Sequence, residues 1–242
     1  MGGYYRIIFF GVNNMENNLI ERFNEYQKII KNYNSKKVVD ITKCDNFSPV
    51  NVVPLLNLIT EENIKKIESH ENPSINEYLH DVFEIKKRRY NYEYVTRPLG
   101  WLCPNEDNSE DVIEAILRIM QPNNFIKNEL NVILHDLIQN AYNRVFTNGI
   151  VMSQFFPENN EQEYVIFDNG KFIGDLNTCD EFIRLIENDV NSNNIINIVT
   201  RQLNGSILFV SGNCCVEFQQ EGVITKGIRD NPLKGNLICF RF

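Results

Sequence analysis

Residues 125–168 decide the fold: FIKNELNVILHDLIQNAYNRVF (125–146) is followed by GIVMSQFF (149–156) and EYVIFD (163–168). The first segment predicts a long amphipathic helix, because its apolar residues recur at intervals of three and four. These residues are Ile126, Leu130, Ile133, Leu134, Leu137, Ala141 and Val145. The next two segments are rich in β-branched and aromatic residues, which predicts two strands joined by the polar turn PENNEQ. We therefore expect a helix packed on a sheet.

The rest of the second half extends this pattern. EDVIEAILRIM (110–120) predicts a short helix before the long one, and NNIINIVTRQL (193–203) predicts another after the strands. GSILFVSGNCCVEFQQ reads as a hairpin that turns near Gly212 and Asn213, and GNLICFRF as the final strand. This order predicts a mixed sheet with its helices on one face.

The first half alternates shorter strands and helices. Strands are predicted at 4–10 and 36–42 and helices at 17–33 and 47–60, with a further helix and a strand, NYEYVTR, before residue 97. Ser48 is the expected N-cap of the 47–60 helix, Pro49 its first residue, and Pro54 should kink or shorten it. The Pro- and Gly-containing stretch RPLGWLCPNEDNSED then marks a boundary. We predict an α/β protein of the α+β sandwich type, with a smaller domain at 1–97, a linker at 98–108 and a larger domain at 109–242.

Composition excludes several classes of function. None of the apolar runs in the 242 residues approaches the roughly 18 to 20 residues that span a bilayer, so we expect no membrane span. The start, MGGYYRIIFFGVNNMENN, has no basic leader and no small-residue cleavage site, so we expect a cytoplasmic location. Residues 109–242 carry 10 basic and 17 acidic residues, which argues against a nucleic-acid partner. The six cysteines form no CxxC pair and there are three histidines, which favours reduced, mostly buried thiols over a zinc site or a disulfide framework.

Candidate functional residues lie on the central helix and at the end of a strand. Asp136 and Asn140 are four residues apart and project from one side of the helix. Asp168 ends its strand and is followed by Asn169 and Gly170. These groups converge if helix and strand pack together. The alternatives are a solvated carboxylate at Asp136, an exposed amide at Asn140 and a simple turn after Asp168.

These segments resemble the GHKL ATPases, the superfamily of histidine-kinase, anti-sigma-kinase, gyrase-type and Hsp90-type ATP-binding domains. HDLIQNA (135–141) is similar to their N box, IFDNGKFIGD (166–175) to their Asp-x-Gly-x-Gly-Ile motif, and LNGSILFVSG (203–212) to their late helix-to-strand turn. The resemblance covers residues 109–242 and rests on the order and spacing of these segments. It implies a Bergerat-type fold that binds ATP with Mg²⁺.

The resemblance also implies roles for individual residues. Asn140 would ligate Mg²⁺, Asp168 would accept a hydrogen bond from the adenine amino group, and Asp136 would be the general base. The remaining nucleotide-binding candidates are Gly170, Phe172, Ile173, Gly174 and Asn236. The chain departs from the family pattern where Phe172 replaces the second glycine and where ENDVNSNN (187–194) lacks a glycine-rich phosphate cradle. In addition, Asp136 is one methylene shorter than the usual glutamate.

The first half is similar to STAS-like domains over VVDITKCDNFSPVNVVPLLNLI (38–59), where a strand ends in Asp and Ser-Pro opens an apolar helix. In related regulators a serine at such a helix start is phosphorylated by a partner GHKL kinase, and Ser48 would be its counterpart. The other interpretation is that Ser48 is a plain N-cap.

Three functions follow from these resemblances. The first is a cytoplasmic, partner-switching regulator that binds ATP and Mg²⁺ and has a protein partner. The second is an interaction module that keeps only the fold, its nucleotide site closed by Phe172 and the missing glycines. The third is a serine kinase that acts on a partner or on Ser48. The sequence leaves the oligomeric state open.

Overall fold

The structure is a computed structural model, and it describes most of the chain in segments. The described residues are 18–31, 33, 38–42, 44, 47–61, 66–73, 75–79, 99–103, 108–120, 124–144, 146, 148–156, 159–170, 178–228 and 232–242. The strands predicted at 4–10 and in NYEYVTR lie outside these residues.

A seven-stranded sheet forms the centre of the molecule. Its strands are β3 (Leu99–Leu102), β4 (Gly149–Phe156), β5 (Glu161–Asp168), β6 (Ser206–Gly212), β7 (Cys214–Gln219), β8 (Gly222–Gly227) and β9 (Leu233–Arg241). They are arranged in the order β3-β4-β5-β9-β6-β7-β8, and every neighbouring pair is antiparallel. A separate parallel pair joins β1 (Val38–Asp40) to β2 (Lys66–Glu68). The last strand, β9, is thus inserted between β5 and β6.

Helices cover both faces of this sheet. The helices are α1 (Leu19–Ile30), α2 (Pro49–Glu61), α3 (Ser109–Met120), α4 (Asn124–Tyr142), α5 (Cys179–Asn188) and α6 (Val190–Asn197), the last continuing into a π-helical turn at Ile198–Gln202. One face packs on α1 and α2 through residues such as Val165 and Leu208, and the other packs on α3 to α6 through residues such as Ile166 and Phe209. None of the described helices combines the length and apolarity needed to cross a membrane.

The α+β class is confirmed, but the sheet differs from the mixed sheet that was predicted. Short connections between β4 and β5 and along β6-β7-β8 favour hairpins, and hairpins pair antiparallel strands. The helices of the second half do lie on one face, and the first half covers the other. The helix α2 includes Pro54 and still continues to Glu61, so the proline does not shorten it.

The two halves of the chain share a core. Phe23 of α1 and Leu55 of α2 belong to the same buried cluster as Phe167 and Leu237 of the sheet. Within the predicted linker, Leu99–Leu102 form the edge strand β3, which pairs with β4. Part of the stretch predicted as a linker is thus a strand of the main sheet, and the first half of the chain packs on that sheet. Pairing with β4 supplies the hydrogen bonds that order this Pro- and Gly-flanked stretch.

Candidate functional site

A row of three polar side chains crosses the sheet on the face covered by α4. Asp168 at the end of β5 is in register with Asn236 of β9, which is in register with Ser211 of β6. The Ser211 hydroxyl donates to Asn236 Oδ1 over 2.8 Å, and Asn236 Nδ2 donates to Asp168 Oδ1 over 2.9 Å. We call these residues the polar row. It brings together two residues that the sequence nominated separately, Asp168 and Asn236.

The Asp168 carboxylate is buried and holds three hydrogen bonds. Besides Asn236, the backbone N–H of Gly170 donates to Oδ1 over 3.1 Å. Arg144, which follows α4, donates from Nη1 to Oδ2 over 2.7 Å and forms an ion pair. The side chain of Asp168 is 3% exposed and that of Arg144 is 22% exposed, so the charge on the carboxylate is balanced by an arginine open to solvent on one side. Charge-assisted bonds of this kind are the stronger ones in proteins.

The backbone beside Asp168 is fixed by asparagines and a glycine. Asn169 N–H donates to the Asn148 carbonyl over 3.0 Å, and Asn148 N–H donates to Asn169 Oδ1 over 2.9 Å. Asn148 Nδ2 in turn donates to Asn57 Oδ1 of α2 over 3.0 Å, which links the site to the first half of the chain. Gly235 has φ 122°, and a Cβ there would lie 2.3 Å from the Asp168 carbonyl oxygen. Only glycine fits at this position.

The two candidates on α4 stand one helical turn apart, and Arg144 follows the end of that helix. Asp136 and Asn140 are partly exposed, and α4 packs against β5, which ends in Asp168. Next to Asp136, His135 Nδ1 lies 3.9 Å from its Oδ1, and His135 Nε2 lies 3.8 Å from Glu110 Oε1.

Three predicted nucleotide-binding residues, Phe172, Ile173 and Gly174, lie outside the described residues. Among the residues that the structure describes, His, Cys, Asp and Glu side chains form no group of three or more suited to a metal ion. Asn140 supplies an amide oxygen, which is a ligand type that Mg²⁺ accepts when phosphates and water complete its shell.

Ser48 is buried at the start of α2, with 4% of its surface exposed. Its backbone carbonyl accepts from Asn51 and Val52, and its own N–H donates to Asn51 Oδ1 over 3.1 Å. Ser48 thus has the backbone position of an N-cap, and Pro49 is the first helical residue as predicted. The Ser48 hydroxyl has no hydrogen-bond partner among the described residues. In this conformation its burial keeps the hydroxyl from a second protein.

A buried charged cluster on the opposite face was missed in the sequence. Arg22 of α1 pairs with Glu163 Oε2 of β5 over 2.6 Å and with Glu161 Oε1 over 3.0 Å, and Arg241 pairs with Glu161 over 3.2 Å. Arg22 and Glu163 are 4% and 0% exposed. Burial lowers the pKa of Arg22, but the two glutamates outweigh this and leave it raised. The signal was a pair of glutamates, Glu161 and Glu163, on the face of a strand whose next two residues, Val165 and Phe167, are apolar.

Two buried glutamates of this face cap the helices that cover it. Glu163 Oε1 accepts from the backbone N–H of Val50 in the first turn of α2 over 2.9 Å. Glu217 Oε2 of β7 accepts from the N–H of Ile20 in the first turn of α1, also over 2.9 Å. Carboxylates are favourable at helix N-termini, where backbone N–H groups lack partners. Both N-terminal helices are thereby joined to the sheet by charge as well as by packing.

What the site can do chemically follows from its two ends. The polar row supplies a buried hydrogen-bond acceptor of defined orientation, and α4 supplies an amide and a carboxylate that are partly open to solvent. Neither a family model nor a curated protein sequence matches this chain.

Proposed function

We propose that the chain is a regulatory protein that binds an adenine nucleotide with Mg²⁺ beside the polar row. The observation that carries the proposal is the hydrogen bond between Asn236 and Asp168, which orients a buried carboxylate at the strand end next to α4. Asp168 would accept the amino group of the base, and Asn140 would ligate the metal on the phosphates. The resemblance to GHKL domains supports the same assignment.

Arg144 would compete with the nucleotide base for the Asp168 carboxylate. It donates to Asp168 Oδ2 over 2.7 Å, so a base that uses this oxygen must displace the arginine. Asp168 Oδ1 already accepts two bonds, from Asn236 and Gly170, which leaves Oδ2 as the oxygen to be contested. The 22% exposure of Arg144 gives its guanidinium a route into solvent. We expect modest affinity in the wild-type protein and tighter binding once Arg144 no longer competes.

Turnover is a further part of this proposal and depends on Asp136. A general base must reach the proton that it abstracts, and an aspartate has one methylene less reach than the glutamate usual in the family. We therefore expect binding without fast hydrolysis, and a regulatory role in which the nucleotide changes the affinity for a protein partner.

The test is a calorimetric titration of the full chain with Mg-ATP, Mg-ADP and Mg-GTP. The proposal predicts binding of the adenine nucleotides, loss of binding in Asp168→Asn and weaker binding in Asn140→Ala. Asn131→Ala is the matched control, because it makes the same change at an exposed position of the same helix. Thermal melts of each variant establish that it is folded. Equal affinities for ATP and GTP, or an unaffected Asp168→Asn, would contradict the assignment.

A second function is favoured by the ion pair itself. In this alternative Asp168 serves only to hold Arg144 and the end of α4, so its carboxylate has its charge balanced within the protein and binds no base. The chain would then be an interaction module that keeps the fold without the nucleotide. Arg144→Met separates the two functions. Under the first, Mg-ATP binds this variant more tightly than it binds the wild type. Under the second, neither protein binds at millimolar nucleotide.

A further inference from the structure

Two cysteines meet where α5 packs on the sheet. Cys179 is the first residue of α5 and Cys214 is the first residue of β7, and the two elements are in contact. Their thiols share a hydrogen bond, and neither is part of a disulfide. Cys214 belongs to the core cluster on this face, and Cys179 packs against that cluster from its edge. Two thiols that share a hydrogen bond are close enough for one sulfur to attack the other once that one is oxidised.

The two thiols differ in accessibility. Cys179 is half-buried, whereas Cys214 is buried at 4% exposure. The neighbouring Cys215 is no competitor, because side chains alternate along a strand and Cys215 packs in the cluster on the opposite face. An oxidant from solvent would thus reach the Cys179 sulfur before the Cys214 sulfur, which is more deeply buried.

We propose that Cys179 and Cys214 are a redox pair that closes to a disulfide when the protein meets a peroxide. The Cys179 sulfur attacks one peroxide oxygen, which forms a sulfenic acid and releases the other oxygen as water. The Cys214 sulfur then attacks the Cys179 sulfur, and the sulfenic hydroxyl leaves as water. In total the two sulfurs give up two electrons and two protons, and one peroxide becomes two waters.

The environment of Cys214 fits the role of the resolving thiol. Burial and the hydrogen bond to Cys179 raise its pKa to about 12, so Cys214 is protonated at neutral pH and does not react with the oxidant itself. Its proton leaves with the hydroxyl of Cys179. The disulfide would join α5 covalently to the sheet. It would also lower the conformational entropy of the unfolded chain, because it closes the loop between the two cysteines.

Oxidation of the full chain with hydrogen peroxide tests this proposal. The expected product has lost about 2 Da in intact mass, yields a Cys179–Cys214 cross-linked peptide and melts several degrees higher, and dithiothreitol reverses each change. Cys179→Ser should prevent the cross-link, and Cys214→Ala should leave Cys179 as a sulfenic acid that a dimedone probe labels. Cys103→Ser, a change at the other half-buried thiol, should leave the reaction intact.

Two results would overturn the proposal. One is that Cys179 reacts without a cross-link in the folded wild-type protein. The other is that Cys179→Ser still forms an internal disulfide, which would assign the reaction to another pair. The test needs no nucleotide, so its outcome is independent of the function proposed above.

Discussion

Replacing Glu163 by glutamine is expected to weaken the folded state more than any other isosteric change on the face covered by α1 and α2. The carboxylate is completely buried and accepts from two helices at once, from Arg22 Nη1 of α1 over 2.6 Å and from the Val50 N–H of α2 over 2.9 Å. Glutamine has one acceptor oxygen, so one of these donors would face an amide NH₂ group. The arginine would also lose its nearest counter-charge.

The magnitude follows from what remains after the change. Breaking a buried ion pair by removing one partner costs about 3–5 kcal/mol. Arg22 keeps Glu161 at 3.0 Å, which places Glu163→Gln at the lower end of that range. We therefore expect a loss of about 3 kcal/mol in the free energy of unfolding, or roughly 6–12 °C in Tm for a chain of this size.

Glu217→Gln is the matched control. Glu217 is equally buried and caps α1 at the Ile20 N–H, but among the described residues its other hydrogen bond comes from the side-chain amide of Gln219. The glutamine retains an acceptor for the helix, so we expect a loss of about 1 kcal/mol. Urea unfolding of both variants under one set of conditions measures the difference. A loss in Glu163→Gln no larger than in Glu217→Gln would refute the conclusion that the buried ion pair contributes more to stability than the helix cap.

Three further predictions concern single positions and pH. Gly235→Ala should lower the free energy of unfolding severely, because its Cβ would collide with the Asp168 carbonyl oxygen. Gly222→Ala, also at positive φ but with open space around its Cβ, should cost only about 1–3 kcal/mol. Urea unfolding measures both losses, and equal losses would contradict the close backbone contact at Gly235. Ser48→Ala should change the free energy of unfolding by less than about 0.5 kcal/mol, because it removes a buried hydroxyl without a described partner, and a larger loss would reveal a role for that hydroxyl. Burial raises the pKa values of Cys214 and Cys239 above about 9, the ordinary thiol pKa. Above that pH the unfolded chain releases thiol protons that the folded state retains, so the free energy of unfolding should fall as pH rises from about 9. Thermal melts at pH 7.5 and 10 check the sign, and equal stability at both would contradict it.

The elements with strong periodicity could be predicted from the sequence. The helix α4, the hairpin of β4 and β5 and the hairpin of β6 and β7 were expected where they occur, because apolar spacing and a turn at Gly212–Asn213 are local signals. The edge strands β3 and β8 were missed. Leu99–Leu102 contains a glycine and has a proline on each side, and the described side chains of Gly222–Gly227 are all exposed, so neither shows the alternation of a half-buried strand.

The candidate site was predicted in part. Asp168 and Asn236 meet because β9 is inserted beside β5. Local sequence patterns do not indicate this pairing, and only the family resemblance nominated both residues for one site. Arg144 could not be assigned, because its partner lies 24 residues away and is set by how the end of α4 packs on the sheet. The buried glutamates were hidden for a similar reason, since a charge in a strand ordinarily indicates a solvated face.

Titration of the full chain with Mg-ATP most directly tests whether the polar row binds an adenine nucleotide. Binding of Mg-ATP that is lost in Asp168→Asn, kept in Asn131→Ala and strengthened in Arg144→Met is the predicted result. No heat from the wild type or from Arg144→Met at millimolar Mg-ATP would contradict it, and Asp168 would then be a structural anchor for Arg144.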